Sequence, residues 1–395
     1  AAPILAVDLP SGWPADETAA TVAGPVFPAD AVVTFTAPKL SHVFGQLTRH
    51  WDQPVVVAPI GSPDAAIVSR LGIEWAGSSL ALAQTPRAAV ANKGNFGHVL
   101  VVGGTLGSAG GKAGAPAMAA LAAMRAGAGL VTAAVPAPAL PVVASFAPEL
   151  MTWPLKATPA GQIAAKNLEA KPLAALTAGK TVLAIGPGLG QGAETAKFAV
   201  GLLSATKIPA VIDADALNQL AGKTALLKKL AKGRMLVLTP HPGEMARLTG
   251  TTAAGVQANR LEAACAFARD TGVTVVLKGA RTLIAHPDGR VAVNTSGNPG
   301  MAKGGSGDVL TGLIAGLLAQ FPGDPARAIE AAVYLHGLAA DLAVRCPGGA
   351  HDEHTLLATD CLARLATAFQ SRAHCFEGIG PSRYVWLQGA MHAAD

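Results

Sequence analysis

Apolar positions fall in two regimes along this chain. From residue 93 onward, short β-branched runs at 99–102, 130–135, 181–185, 210–212, 236–238 and 274–277 alternate with helical stretches. Runs that are apolar at every position, rather than at every second one, suit a parallel sheet covered on both faces. Residues 283–286 and 290–293 flank Pro287-Asp288-Gly289, a hairpin signal. Helical patterns follow at 309–320, 326–343 and 356–369, and 114–126 reads as a helix of small residues. The prediction is an α/β fold with a mostly parallel central sheet. Before residue 85 the pattern is sparser, with strands expected at 4–7, 31–35 and 55–58. This block starts at a strand, as though its first half were cut away, and reads as a partial Rossmann-like α/β segment. Gln84-Thr85-Pro86 marks a break. The expected organisation is a first block over 1–85, a linker over 86–92, a main domain over 93–369 and an aperiodic tail over 370–395.

Composition narrows the classes. Hydrophobic residues make up 51% and charged residues 14% of the 395 positions, which excludes a disordered chain. Aromatic residues are only 4%, so the core must be aliphatic and alanine-rich. Mean hydropathy is +0.39, but the most apolar stretches, 113–124 and 309–319, are well short of the ~20 residues a spanning helix needs. A net charge of +5 without any Lys/Arg run argues against a nucleic-acid track. Cys265, Cys346, Cys361 and Cys375 form no Cys-x-x-Cys pair and read as free thiols of a reducing compartment, which points to the cytoplasm. The opening AAPILAVDLPSG lacks the features of a signal peptide.

The chemistry collects after strands, where open α/β sheets bind ligands. Gly186-Pro187-Gly188-Leu189-Gly190, Asp213-Ala214-Asp215, His241-Pro242-Gly243-Glu244 and Lys278-Gly279-Ala280-Arg281-Thr282 each follow an expected strand. Asp213 and Asp215 read equally as site carboxylates or loop caps. The 278–282 segment reads as a nucleotide-phosphate turn or a plain surface turn. Glu244 reads as a carboxylate ordering Mg²⁺-bound water or as a helix-start residue answering the dipole. His241 lacks a third metal ligand at suitable spacing, and His336 reads as a core histidine. Gly107 to Lys112 fails the Walker A spacing, because Leu106 and Ala113 stand where Gly and Ser/Thr are required.

The sharpest element is Asn298-Pro299-Gly300-Met301-Ala302-Lys303-Gly304-Gly305-Ser306-Gly307-Asp308 ahead of an apolar helix. Small residues let backbone amides approach an anion, and a helix start adds unpaired N–H donors and a positive dipole end. That combination makes an anion hole for a phosphoryl group in transfer. Asp308 on the first turn is placed to take the proton of an attacking hydroxyl. The dipole should keep Asp308 ionised and therefore a weak base, which suffices when proton transfer is late.

These stretches, together with KGNFGHVLVVGG, DADALN and LTPHPGEMARL, resemble the NAD(P)H-hydrate dehydratase family of the ribokinase-like superfamily, in that family's order over roughly 93–369. AVDLPSG and PADAVVTFTAPK resemble the back half of an NAD(P)H-hydrate epimerase. The resemblance implies a three-layer α/β/α domain. The implied reaction dehydrates the S epimer of NAD(P)H hydrate at the expense of ADP, with ATP as the other donor, giving AMP and phosphate. It implies Mg²⁺, a cytoplasmic setting and a homo-oligomer, a tetramer in many relatives, with no nucleic-acid or membrane partner.

By resemblance, Asp308 is the base and a hydrate contact. Gly305, Ser306 and Gly307 belong to the anion hole, with Gly307 also touching nucleotide. Lys278, Gly279, Ala280, Arg281 and Thr282 hold the AMP portion, and Ala115, Gly188 and His241 line the hydrate pocket. Ser11, with Asp8, matches a potassium and substrate position of the epimerase. The loop supplying the other half of that site is absent, so K⁺ and epimerase activity are not expected to function. Lys303 stands where many relatives have Thr. The competing readings are an ATP-dependent kinase of a small hydroxylated vitamin precursor and a non-catalytic nucleotide-binding remnant.

Overall fold

A computed structural model describes residues 2–50, 53–58, 60–66, 72–108, 110–345, 351–371 and 384–386. Cys346, Cys375 and nearly all of the expected tail lie outside these residues; Cys265 and Cys361 are free thiols. The centre of the molecule is a ten-stranded sheet. In spatial order its strands are Ile73–Trp75, Val291–Val293, Leu283–Ala285, Thr274–Leu277, Leu236–Leu238, Ala210–Ile212, Val182–Ile185, His98–Val102, Leu130–Pro136 and Met151–Leu155. All pairings are parallel except the two made by Leu283–Ala285, which is the expected hairpin.

The strands alternate strictly between two helical layers. Val99, Val101, Val211, Val237 and Val276 pack with the helices Gly114–Arg125, Ser306–Gln320, Pro325–Arg345 and Ala358–Gln370. Leu100, Val102, Ile212, Leu238 and Leu277 pack with Ala193–Ala205, Pro242–Thr249 and Arg260–Thr271. This three-layer arrangement is why the central strand runs are almost wholly apolar, with Thr132 and Thr274 the buried polar exceptions among the named strands. On the first layer the alanine-rich composition has a mechanical use. A Cβ at Gly312 would lie 2.0 Å from the Ala119 carbonyl oxygen, so the Ser306–Gln320 and Gly114–Arg125 backbones touch directly. Among the described residues no helix is long and apolar enough to cross a membrane.

The first block carries three parallel strands, Leu5–Val7, Ala31–Phe35 and Val55–Ala58, and Tyr384–Trp386 adds a fourth beside Val55–Ala58. Leu5 and Val7 on its edge strand are exposed. Ile73–Trp75 pairs in parallel with Val291–Val293 and extends the main sheet. Ser79, just beyond it, donates its hydroxyl to Glu330, whose other carboxylate oxygen pairs with His286 (3.0 Å). Met151–Leu155, also unanticipated, contains Pro154, which reads against a central strand and is tolerated at this edge position.

Candidate functional site

The chain runs outward from His98–Val102 through Leu130–Pro136 to one edge, then returns to Val182–Ile185 on the other side of His98–Val102. Such a reversal leaves a crevice at the carboxyl ends of the strands, and five strand ends deliver polar groups to it.

Asp213, the residue after Ala210–Ile212, is buried at the centre. Its Oδ1 accepts from Lys278 Nζ (2.9 Å) and from the Thr239 hydroxyl (2.8 Å), and its Oδ2 accepts from the Thr311 hydroxyl (2.8 Å). Lys278, at the end of Thr274–Leu277, also lies 3.7 Å from Glu244 Oε2. Burial works against the Lys278 charge, but Asp213 and Glu244 more than offset this and hold the ammonium above its ordinary value. A cation is thus fixed at the strand ends. A Cβ on Gly307 would sit 3.4 Å from Lys278 Nζ, which brings the ammonium against the start of the Ser306–Gln320 helix.

Asp215, two residues on, organises the opposite wall. It accepts from the Gly190 amide (2.9 Å) and the Gln191 side chain (3.1 Å), and Lys112 Nζ lies 3.4 Å away. Gly188 has φ +62, and a Cβ there would meet Lys112 O at 2.6 Å and Ala115 Cβ at 3.2 Å. Gly188 and Ala115 are therefore neighbours. His241 caps the Pro242–Thr249 helix: its Nδ1 accepts from the Gly243 amide (3.0 Å), and its own amide donates to Glu244 Oε2 (2.8 Å). An accepting Nδ1 fixes the Nε2–H tautomer. Burial holds this imidazole below its usual value, with Glu244 opposing.

The 298–308 segment ends in a left-handed Gly305 (φ +97), directly before the helix Ser306–Gln320. At that φ a side chain would be strained, so glycine is favoured by backbone geometry. Ser306, Gly307 and Asp308 form the first turn, with their amides unpaired within the helix. Asp308 differs from the sequence expectation. Burial first, and then the Asp213 carboxylate, push it up to about 7, against the smaller opposing pull of Lys278 and Lys112. The dipole does not keep it firmly ionised, because desolvation beside a second carboxylate outweighs it.

The 278–282 turn is braced from below by Arg260, which donates to the carbonyls of Leu277 (3.1 Å) and Lys278 (3.3 Å). Arg281, expected to face nucleotide, instead buries its guanidinium: Nε donates to Val43 O (2.8 Å) and Nη1 to Thr295 O (3.1 Å). Gly279 takes φ +137 and accepts from the Thr282 hydroxyl (2.9 Å). Ala280 lies on the same turn. Lys303 gives its ammonium to the His354 carbonyl. His336 is buried and neutral, pushed down to about 4 by burial and by Lys278.

Glu244, expected to bind Mg²⁺ through water, is buried at the start of the Pro242–Thr249 helix, where its Oε2 accepts the His241 amide (2.8 Å) and lies 3.7 Å from Lys278 Nζ. Among the described residues no group of three or more His, Cys, Asp or Glu could hold a metal directly, so a divalent cation here would depend on nucleotide phosphates for most of its ligands. Ser11 lies apart on an exposed turn, its carbonyl accepting the Phe27 amide (2.8 Å). Nearby Asp8, at φ +65, accepts from Thr34 (2.8 Å) and pairs with Lys39.

Sequence reasoning assigned no role to Thr239, Thr311 or Arg260. Thr311 was findable, since a residue three after Asp308 shares its helix face. Arg260 carries no local signal.

Comparison with known proteins places the chain among described families. A family model described as NAD(P)H-hydrate dehydratase matches residues 99–360, and one described as YjeF-related protein N-terminus matches 1–41. A bifunctional NAD(P)H-hydrate repair enzyme of Moorella thermoacetica is 45% identical over 367 residues, covering 91% of this chain and 65% of that protein. An ADP-dependent (S)-NAD(P)H-hydrate dehydratase of Neisseria meningitidis is 44% identical over 261 residues, 65% of this chain and 80% of its own length. The crystal structure of an ADP/ATP-dependent NAD(P)H-hydrate dehydratase from Bacillus subtilis, co-crystallized with ATP/Mg²⁺, superposes with a TM-score of 0.61 at 32% identity, covering 74% of this chain and 96% of that one. The chain spans 62% to 68% of the length of the first three bifunctional relatives it matches.

Proposed function

This chain belongs to the NAD(P)H-hydrate dehydratase family, and from that premise we propose that it restores hydrated NADH or NADPH at the expense of ADP. The substrate is the S epimer, as in the name of the Neisseria relative. The hydroxyl that water has left on the nicotinamide ring attacks the β-phosphorus of ADP, and AMP departs with the bridging oxygen. Asp308 takes the hydroxyl proton. The ring now carries a phosphate ester. Its C–O bond breaks as the ring nitrogen supplies an electron pair, and loss of a neighbouring ring proton restores the double bond. Hydroxide is a poor leaving group and phosphate a good one, which is why a dehydration uses a kinase-like site.

The chain's own groups divide this work. The amides of Gly305, Ser306 and Gly307 receive the moving phosphoryl oxygens at a helix start. Lys278, held by Asp213, supplies a fixed positive charge beside them. The 278–282 turn takes the AMP portion, and Ala115, Gly188 and His241 line the hydrate pocket. Mg²⁺, when present on the nucleotide, neutralises phosphate charge, with Glu244 reaching it through water. ATP is the alternative donor, as in the name of the Bacillus relative. We assign this chemistry to residues 93–369 and the epimerase-like fold to the first block. A cytoplasmic homo-oligomer completes the reading, and light scattering tests the assembly.

The single observation that carries it is the contact between the Ser306–Gln320 helix start, bearing Asp308, and the Lys278–Asp213 pair. The test incubates the chain with enzymatically hydrated NADH, Mg²⁺ and either ADP or ATP, and follows recovery of the reduced-nicotinamide absorbance. Recovery with AMP and phosphate release in the ADP arm supports the reading. Phosphorylation of a vitamin precursor without recovery overturns it in favour of a kinase.

A further inference from the structure

The nucleotide turn is tied to the first block as well as to its own domain. Arg281, at φ +57, leads its side chain from the 278–282 turn into the junction with that block. There its Nε donates to the Val43 carbonyl (2.8 Å) on the Leu40–Phe44 helix, while Nη1 donates to the Thr295 carbonyl (3.1 Å). Thr295 in turn accepts the Trp75 indole N–H (2.9 Å) on the strand that extends the main sheet. The helix is itself seated: Phe44 is buried in the core cluster of the main domain, and Leu40 and Val43 pack against the same cluster. Its last turn is closed by the Gly45 amide donating to Ser41 O (2.8 Å). Arg260 holds the other side of the turn by its carbonyls. The turn therefore rests between two guanidinium groups, one of which is anchored outside the catalytic domain.

We propose that Arg281 is a positioning residue through which the docked Leu40–Phe44 helix sets the affinity of the 278–282 turn for a nucleoside diphosphate. This rests on the reading above, in which that turn receives the AMP portion. Coupling between two sites is reciprocal. Whatever the docked helix adds to nucleotide binding, bound nucleotide must add to helix docking. The first block then senses whether the dehydratase site is charged with nucleotide, and its loosening lowers nucleotide occupancy without altering the chemical groups.

The experiment uses the full chain with Mg²⁺ and ADP as probe. Calorimetry gives the Kd for ADP, and hydrogen exchange follows the Phe44 and Gly45 amides with and without nucleotide. ADP should slow exchange at these amides in the unaltered chain. Arg281→Met and Phe44→Ala should each raise the Kd about tenfold, within the usual range of such couplings, with kcat at saturating ADP nearly unchanged. The double variant should be no worse than either single one, because both break the same connection. Added ethylguanidinium should restore part of the affinity of Arg281→Met. Unchanged exchange at Phe44 and Gly45 on ADP binding overturns the proposal even if a variant fails to fold, and so do additive effects of the two substitutions. An unaltered chain that binds no ADP overturns the dehydratase reading itself, whereas ADP binding without these responses overturns the coupling alone.

Discussion

Turnover should follow the ionisation of Asp308 across neutral pH. Its carboxyl is raised to about 7 because burial disfavours its charge and Asp213 adds a like charge, while Lys278 and Lys112 only partly relieve this. A base must be deprotonated, and its ionised fraction climbs from about one part in eleven at a pH one unit below that value to about ten in eleven one unit above, so kcat/KM should rise about tenfold over those two units. The assay is the initial rate of NAD(P)H recovery under saturating ADP and Mg²⁺ in buffers of constant ionic strength. Asp213→Asn removes the like charge and should move this limb to lower pH. Lys278→Met removes an opposing charge and should move it higher. The same proton has a stability consequence of defined sign. The folded chain binds it more tightly than the unfolded chain, whose value is near 3.8, so the contribution of this one group to stability is fully present below that and is lost as pH rises through about 7. A pH profile flat across neutrality, or a limb that stays put in both variants, would refute the assignment of the base.

Three further outcomes follow from particular contacts. Asp308→Asn should lower kcat by about 10²–10⁴-fold, the usual worth of a positioned base, while calorimetry finds ADP binding intact. Gly312→Ala should destabilise the chain by ~1–3 kcal/mol in denaturant titration, since its methyl would press on the Ala119 carbonyl and force two helices apart. Glu330→Ala should cost about 3–5 kcal/mol by the same measurement, because it strands buried His286 and Ser79 without their shared acceptor.

The sequence by itself determined the layered sheet and the edge on which chemistry collects. Strands such as 210–212 and 236–238 are apolar throughout because helices cover both faces, and that requirement is written locally in every strand. The glycine at 305 is equally local, since a left-handed residue feeding a helix start favours it. Tertiary structure alone decided what depends on distant partners. Ile73–Trp75 reads as a short stretch of the first block until Val291–Val293 supplies the neighbour it pairs with. Arg281 has no sequence signal telling whether it faces nucleotide or the Val43 carbonyl. The helix dipole at Asp308 is visible in the sequence and predicts an ionised group. The burial and the Asp213 charge that outweigh it exist only once the strands are side by side, because desolvation is a property of the assembled surroundings rather than of neighbouring residues in the chain.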